Sequence, residues 1–109
     1  MDDEINIFET RDGRFCLAIT DTDDETAEVF EEYDLEVDGN TWEAIVATLL
    51  RTKMPESRAR FEMAAADENL NVYCSTREPL ERLAKVIRDT ASDQDELIAA
   101  IENARDDLE

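Results

Sequence analysis

Apolar residues along this chain alternate with polar ones and then change to helical spacing, and they do so twice. "INIFET" and "FCLAIT" alternate with period two and are separated by "RDGR", in which Asp12 and Gly13 supply a tight turn. A hairpin is predicted there, carrying Ile5, Ile7, Phe15, Leu17 and Ile19. Thr26, Val29, Phe30 and Tyr33 then recur at helical spacing, with Glu25, Glu28, Glu31 and Glu32 between them. Thr22 followed by Glu25 has the form of a capping box, in which the hydroxyl takes a backbone amide of the first turn and the carboxylate reaches back. Asp23 and Asp24 suit the positive end of the helix dipole, by about 0.3–1 kcal/mol each. A helix with an almost purely negative outer face is therefore expected.

The second half repeats the pattern without repeating the sequence. After the loop "DLEVDGN", Trp42, Ile45, Val46, Leu49 and Leu50 form the strongest helical stripe in the chain, with Asn40 and Glu43 as its cap and Pro55 at its end. "ARFEMAA" and "LNVYCS", joined by "DEN", read as a second hairpin, with Phe61 and Met63 alternating on one strand and Leu70, Val72 and Cys74 on the other. Two helices close the chain. One runs from about Glu78 to Thr90 with Pro79 in its first turn, and presents Leu80, Leu83, Ala84 and Ile87; the other opens at an Asp93 and Glu96 cap and presents Leu97, Ile101, Ala104 and Leu108. Strand, strand, helix, helix, twice over, predicts an α+β fold over residues 1–109 as one domain, an antiparallel sheet of about four strands with helices packed on it. The strand order is not readable from spacing. Nearly every apolar residue, Trp42 included, is claimed by that core, which leaves little for a ligand pocket.

Charge changes this picture most. Thirty acidic residues against eleven basic ones give a formal charge of -19, which excludes a nucleic-acid binder that works by neutralising phosphates. The natural complement is a basic partner or a very salty cytoplasm, and the scarcity of lysine, with only Lys53 and Lys85, fits the latter. The distribution favours the partner. Residues 1–43 carry sixteen acids against Arg11 and Arg14, whereas residues 44–109 carry fourteen acids and nine bases. Salt adaptation acts on a whole surface; a block of ten acids and no base between Asp21 and Asp38 repels itself within the ~8 Å screening length of physiological salt, and invites compensation.

Catalytic and metal chemistry find little support. Counted from Asp21, the window "DTDDETAEVFEE" offers calcium-loop oxygens at Asp23, Glu25 and Glu32, but the position that must be glycine is Thr26, so no metal site is expected. There is no histidine, no nucleophile motif, and no glycine-rich phosphate loop in a chain whose only glycines are Gly13 and Gly39. Neither catalytic residues nor a cofactor are expected. Cys16 and Cys74 fall in strand-like runs and read as buried free thiols of a reducing compartment. "MDDEINIF" lacks the regions of a secretory signal, and no run approaches the ~20 apolar residues of a membrane span. The expectation is a cytoplasmic binding protein, not an enzyme and not a membrane protein.

"DGNTWEAIVATLLR", followed after Pro55 by "RFEMAAADENLNVYCSTREPLERLAKVI" and a final acidic helix, resembles the Imm51 family of immunity proteins from bacterial polymorphic toxin systems. The resemblance rests on Gly39, Trp42, Glu43, Asp67, Glu68, Ser75, Leu80 and Leu83 and spans residues 38–101. It implies an immunity protein, the partner of a toxin–antitoxin-like pair, that binds and silences a cognate bacterial toxin. Asp24, Glu28, Glu31 and Glu32 are the first candidate partner-binding surface, able to present carboxylates to a basic groove where nucleic-acid phosphates would sit; Asp67 and Glu68, in the second hairpin turn, are the other candidates. Two rival functions are a chaperone for a secreted effector, which would also be small, acidic and α+β, and an acidic, salt-adapted housekeeping domain. Monomer and dimer are both open.

Overall fold

A computed structural model describes residues 5–20, 22–66 and 69–108. The first hairpin is β1 (Ile5–Glu9) and β2 (Phe15–Ile19), antiparallel, with Ile5 opposite Ile19 and Glu9 opposite Phe15. Its turn closes as the sequence predicts. Gly13 sits at φ 85°, open to a residue without a β-carbon, and donates its N–H to the Thr10 carbonyl at 3.2 Å. There follow α1 (Asp24–Glu32), α2 (Gly39–Lys53), a short 3-10 helix (Pro55–Arg60) that the sequence pattern did not announce, β3 (Glu62–Ala65), β4 (Leu70–Cys74), α3 (Arg77–Ser92) and α4 (Gln94–Leu108). The class is α+β, with four antiparallel strands in one sheet.

The sheet order is β1-β2-β4-β3, so the two hairpins lie side by side and meet through β2 and β4, where Leu17 faces Val72. One face of the sheet carries Ile5, Leu17, Ile19, Leu70, Val72 and Cys74 into the core. Helices α2 and α3 pack on that face and α4 packs against both of them. The helical stripes meet there as their spacing predicts: Trp42, Ile45, Val46, Leu49 and Leu50 from α2, Leu80, Leu83 and Ile87 from α3, Leu97 and Ile101 from α4. Each such side chain taken out of water stabilises the fold by roughly 1.5–3 kcal/mol. Ala104 is buried with them, while the Leu108 side chain lies outside the described residues.

The helix caps differ in part from the pattern reading. The residue capping α1 is Asp23, not Thr22: its Oδ1 accepts from the Thr26 N–H at 2.9 Å. Thr22 is engaged elsewhere, its hydroxyl accepting the Trp42 indole N–H at 2.8 Å. Likewise α2 is capped by Asp38, which accepts from the Thr41 N–H at 2.9 Å, and not by Asn40 with Glu43. Asp93 does cap α4, accepting from Asp95 N–H at 3.0 Å and Glu96 N–H at 3.4 Å. At the end of α1, Leu35 N–H reaches the Phe30 carbonyl at 2.9 Å and Asp34 N–H the Glu31 carbonyl at 3.1 Å, with Asp34 in the left-handed region at φ 58°. That is a Schellman closure, and it turns the chain sharply toward α2.

Not every apolar residue joins this core. The opposite face of the sheet carries Phe8, Cys16, Ala18 and Tyr73, none of which belongs to the core cluster; Cys16 and Ala18 are buried there, and Phe8 is 48% exposed. Cys16 and Cys74 are both buried free thiols, as expected, but they lie on opposite faces of the sheet.

Candidate functional site

The acidic helix is a short element held by a few large contacts. Thr26, Val29 and Phe30 are buried, and Phe30 meets Trp42 edge-on with ring centroids 5.3 Å apart and planes at 61°. Tyr33, at the C-terminal end, is half-buried under the Arg105 guanidinium, which lies 5.9 Å from its ring centre. With this face committed, Asp24, Glu28 and Glu31 follow one another along the outer ridge with Glu32 beside them, and all four are exposed. The structure therefore brings together the four α1 candidates. Asp67 and Glu68 lie outside the described residues.

The density of acids distinguishes α1, five in nine residues with no base among them. Elsewhere cations are paired with acids: Arg14 with Asp12 at 2.9 Å and Glu62 at 3.0 Å, Lys53 with Glu96 at 3.3 Å, Arg77 with Glu81 at 2.7 Å, Lys85 with Asp89 at 2.9 Å. Among the described residues no cation comes within ion-pair distance of Asp24, Glu25, Glu28, Glu31 or Glu32. The last turn of α1 has no basic residue either, so the negative end of its dipole adds to the charges of Glu31 and Glu32. Asp23 is different in kind. Burial pushes its carboxyl up, but hydrogen bonds led by those from Thr26 outweigh this and hold it below the ordinary carboxylate value.

Beside α1 runs an open groove of about 350 Å³, bounded on the other side by the α3–α4 junction. Glu25, Glu28 and Glu32 line one wall, and Ser92, Gln94 and Leu97 the other. Glu25, which the sequence pattern placed on the outer face and in a capping box but not among the candidate binding residues, is thus part of this groove. The signal was present, because residues 25, 28 and 32 fall at i, i+3 and i+7 and share a stripe. Asp24 and Glu31 do not line the groove and face outward from it.

The remaining chemistry is sparse. Among the described residues no group of three or more Cys, Asp or Glu is placed to hold a metal ion. Of the calcium-loop positions, Asp21 lies outside the described residues, and Asp23 is committed to its helix. Burial pushes the Cys16 thiol up, away from the reactive thiolate. No helix among the described residues is long and apolar enough to cross a membrane.

A family model described as immunity protein 51, Imm51, matches residues 5–106, nearly the whole chain. The chain belongs to the Imm51 family. No curated protein and no solved structure matches it. The Imm51 match extends beyond the stretch in which the resemblance was legible and takes in the first hairpin and α1, so the acidic helix lies within the family's own span. Several residues that carried the resemblance prove to be structural: Trp42, Leu80 and Leu83 are buried in the core, and Gly39 is where α2 touches the second hairpin. As an Imm51 member the protein is an immunity protein, and the partner of an immunity protein is a toxin.

Proposed function

We propose that this Imm51 protein neutralises its cognate toxin in the cytoplasm, by binding and not by catalysis, with the carboxylates of α1 facing a basic surface of the toxin. The observation that carries this reading is the set of five exposed α1 carboxylates without a described cationic partner, crowded on one nine-residue helix. Like charges crowded on one helix cost stability unless something opposes them, and a basic groove would do so. A toxin that acts on nucleic acid has such a groove, and Asp24, Glu28, Glu31 and Glu32 would stand where phosphates sit. In this form α1 mainly speeds capture, because long-range attraction acts on association.

The test is a quadruple variant, Asp24→Asn with Glu28→Gln, Glu31→Gln and Glu32→Gln. None of the four side chains is buried, so the melting temperature should stay equal or rise. Association with the toxin should slow by about tenfold, with a shallower salt dependence than the parent, while dissociation changes little. A variant that binds and protects cells as well as the parent at physiological salt would reduce this face to a solvated helix surface.

A further inference from the structure

The sheet has a face that no described helix covers. The strand register defines it as two rows, Phe8–Cys16–Tyr73–Glu62 and Asn6–Ala18–Asn71–Ala64. None of these eight residues belongs to the core cluster; the small Cys16 and Ala18 of β2 are buried, at 1% and 5% exposure, while Asn6, Phe8, Glu62 and Ala64 around them are exposed. Phe8 is the one large apolar side chain among the described residues that is exposed, at 48%. Beside it Tyr73 is half-buried, and the Arg14 guanidinium lies 5.1 Å from its ring centre. Glu62 is the only acid in the two rows and it pairs with Arg14 at 3.0 Å. In a chain of thirty acids and net charge -19, this face is close to neutral.

We infer that this open sheet face is the seat of the toxin, with Phe8 and Tyr73 as its anchors. The inference rests on the immunity reading and adds a second surface to it. The centres of protein interfaces are poor in charge and rich in Phe, Tyr and Arg, which is the composition found here against the trend of the whole chain. A surface kept only for solvation in a salty cytoplasm would carry acids on this face as well.

A second copy of this chain is the other occupant to consider, and two quantities oppose it. Four strands at ~4.8 Å spacing and about five residues at ~3.3 Å each give a face of roughly 300 Å² per partner. Two such faces together bury about half of the ~1,200 Å² at which stable interfaces begin, so the face does not hold a second copy by itself, and a toxin seated on it gains the remaining area by also meeting α1. Two molecules of charge -19 also repel, whereas a basic toxin is drawn to the molecule as a whole. The chain leaves β2 at Ile19 and enters α1 at Asp24, so the acidic helix begins within a few residues of the end of this sheet. Attraction by α1 and apolar contact on the sheet are then separate tasks, the first governing capture and the second retention.

Two variants separate them, Phe8→Thr, which keeps a strand-forming side chain at an exposed edge position, and Ala64→Arg, which puts a bulky cation on the exposed β3 end of the same face. The probe is the toxin domain encoded by the reading frame immediately upstream of this chain's gene, in a catalytically inactive form, with rates measured by surface plasmon resonance. Both variants should keep the parent's melting temperature and dissociate about tenfold faster or more, with association changed by less than about twofold for Phe8→Thr. The α1 quadruple variant should show the reverse division. If both sheet variants bind like the parent while the α1 variant associates slowly, the sheet face is not the seat and the acidic-helix reading stands alone. If the parent itself does not bind the domain, the immunity reading fails with it. A parent that elutes as a dimer and becomes monomeric on Phe8→Thr would assign the face to a second copy and overturn the inference.

Discussion

Gly39 shows how a single residue can reverse a local rule. In a helix, alanine is ordinarily preferred to glycine by up to about 1 kcal/mol, so propensity alone recommends Gly39→Ala. Here a β-carbon would stand 2.2 Å from the Asn69 carbonyl oxygen and 2.3 Å from that of Ala66, both backbone atoms that cannot step aside. The substitution should therefore destabilise the protein by more than about 2 kcal/mol, read as a lower urea midpoint with unchanged slope. Equal or higher stability would mean that α2 does not approach the second hairpin this closely. The sequence placed Gly39 in the loop before α2 and gave no hint that its partner is a turn some thirty residues away. Thr22 makes the same point. Thr22 and Asp23 are both residue types that cap helices; in the structure Asp23 accepts the Thr26 N–H, while the Thr22 hydroxyl accepts the Trp42 indole N–H.

At the scale of elements, α1 is short, carries its acids without described ion pairs, and depends on its cap. Asp23 accepts the Thr26 N–H, and its carboxyl is held below the ordinary value of 3.8, so its ionised form is favoured by folding. The contribution of such a group is present above the unfolded carboxylate value and is lost as pH falls through the lower, folded one. Asp23→Ala should cost about 1 kcal/mol near neutral pH, and the gap between parent and variant should narrow below about pH 4. Chemical denaturation across pH 3–7 checks this; a gap independent of pH would place the loss in packing and not in the ionised cap. The amphipathic stripes of α2, α3 and α4 were legible because each apolar residue in them has one destination, the core. The α1 ridge was legible for the complementary reason, since nothing apolar interrupts Asp24, Glu28 and Glu31. Its groove with the α3–α4 junction was not, because it needs residues 92–97 to arrive from the far end of the chain.

The whole molecule measures 39 × 25 × 24 Å, so charges on one side are several screening lengths from those on the other at physiological salt. Self-repulsion is therefore regional and concentrated in the first 43 residues, where sixteen acids meet two bases. Added monovalent salt should raise the melting temperature, with most of the gain below about 0.3 M, as ordinary screening predicts. Calorimetric scans over a salt series distinguish the alternative: stability that continues to climb beyond ~1 M, from a poorly folded state at low salt, would favour an acidic domain shaped by a salty cytoplasm over one shaped by a basic partner.

The sequence by itself determined the α+β class, the two hairpins, the apolar stripes of the helices and the negative ridge of α1. All of these depend on residues close together in the chain, where periods of two and 3.6 translate directly into faces. It also carried the Imm51 resemblance through residues 38–101, whereas the family match runs over residues 5–106. Tertiary structure alone decided that β2 meets β4 and that all the strand-packing helices choose the same side of the sheet. Alternation says that a strand has two faces but not which of two partly apolar faces the helices will cover. In β2 both candidates were apolar, Leu17 and Ile19 on one side and Cys16 and Ala18 on the other. Larger side chains won the helix-covered core because they remove more surface from water, and the smaller pair lies on the other face, buried beside the exposed Phe8 and half-buried Tyr73.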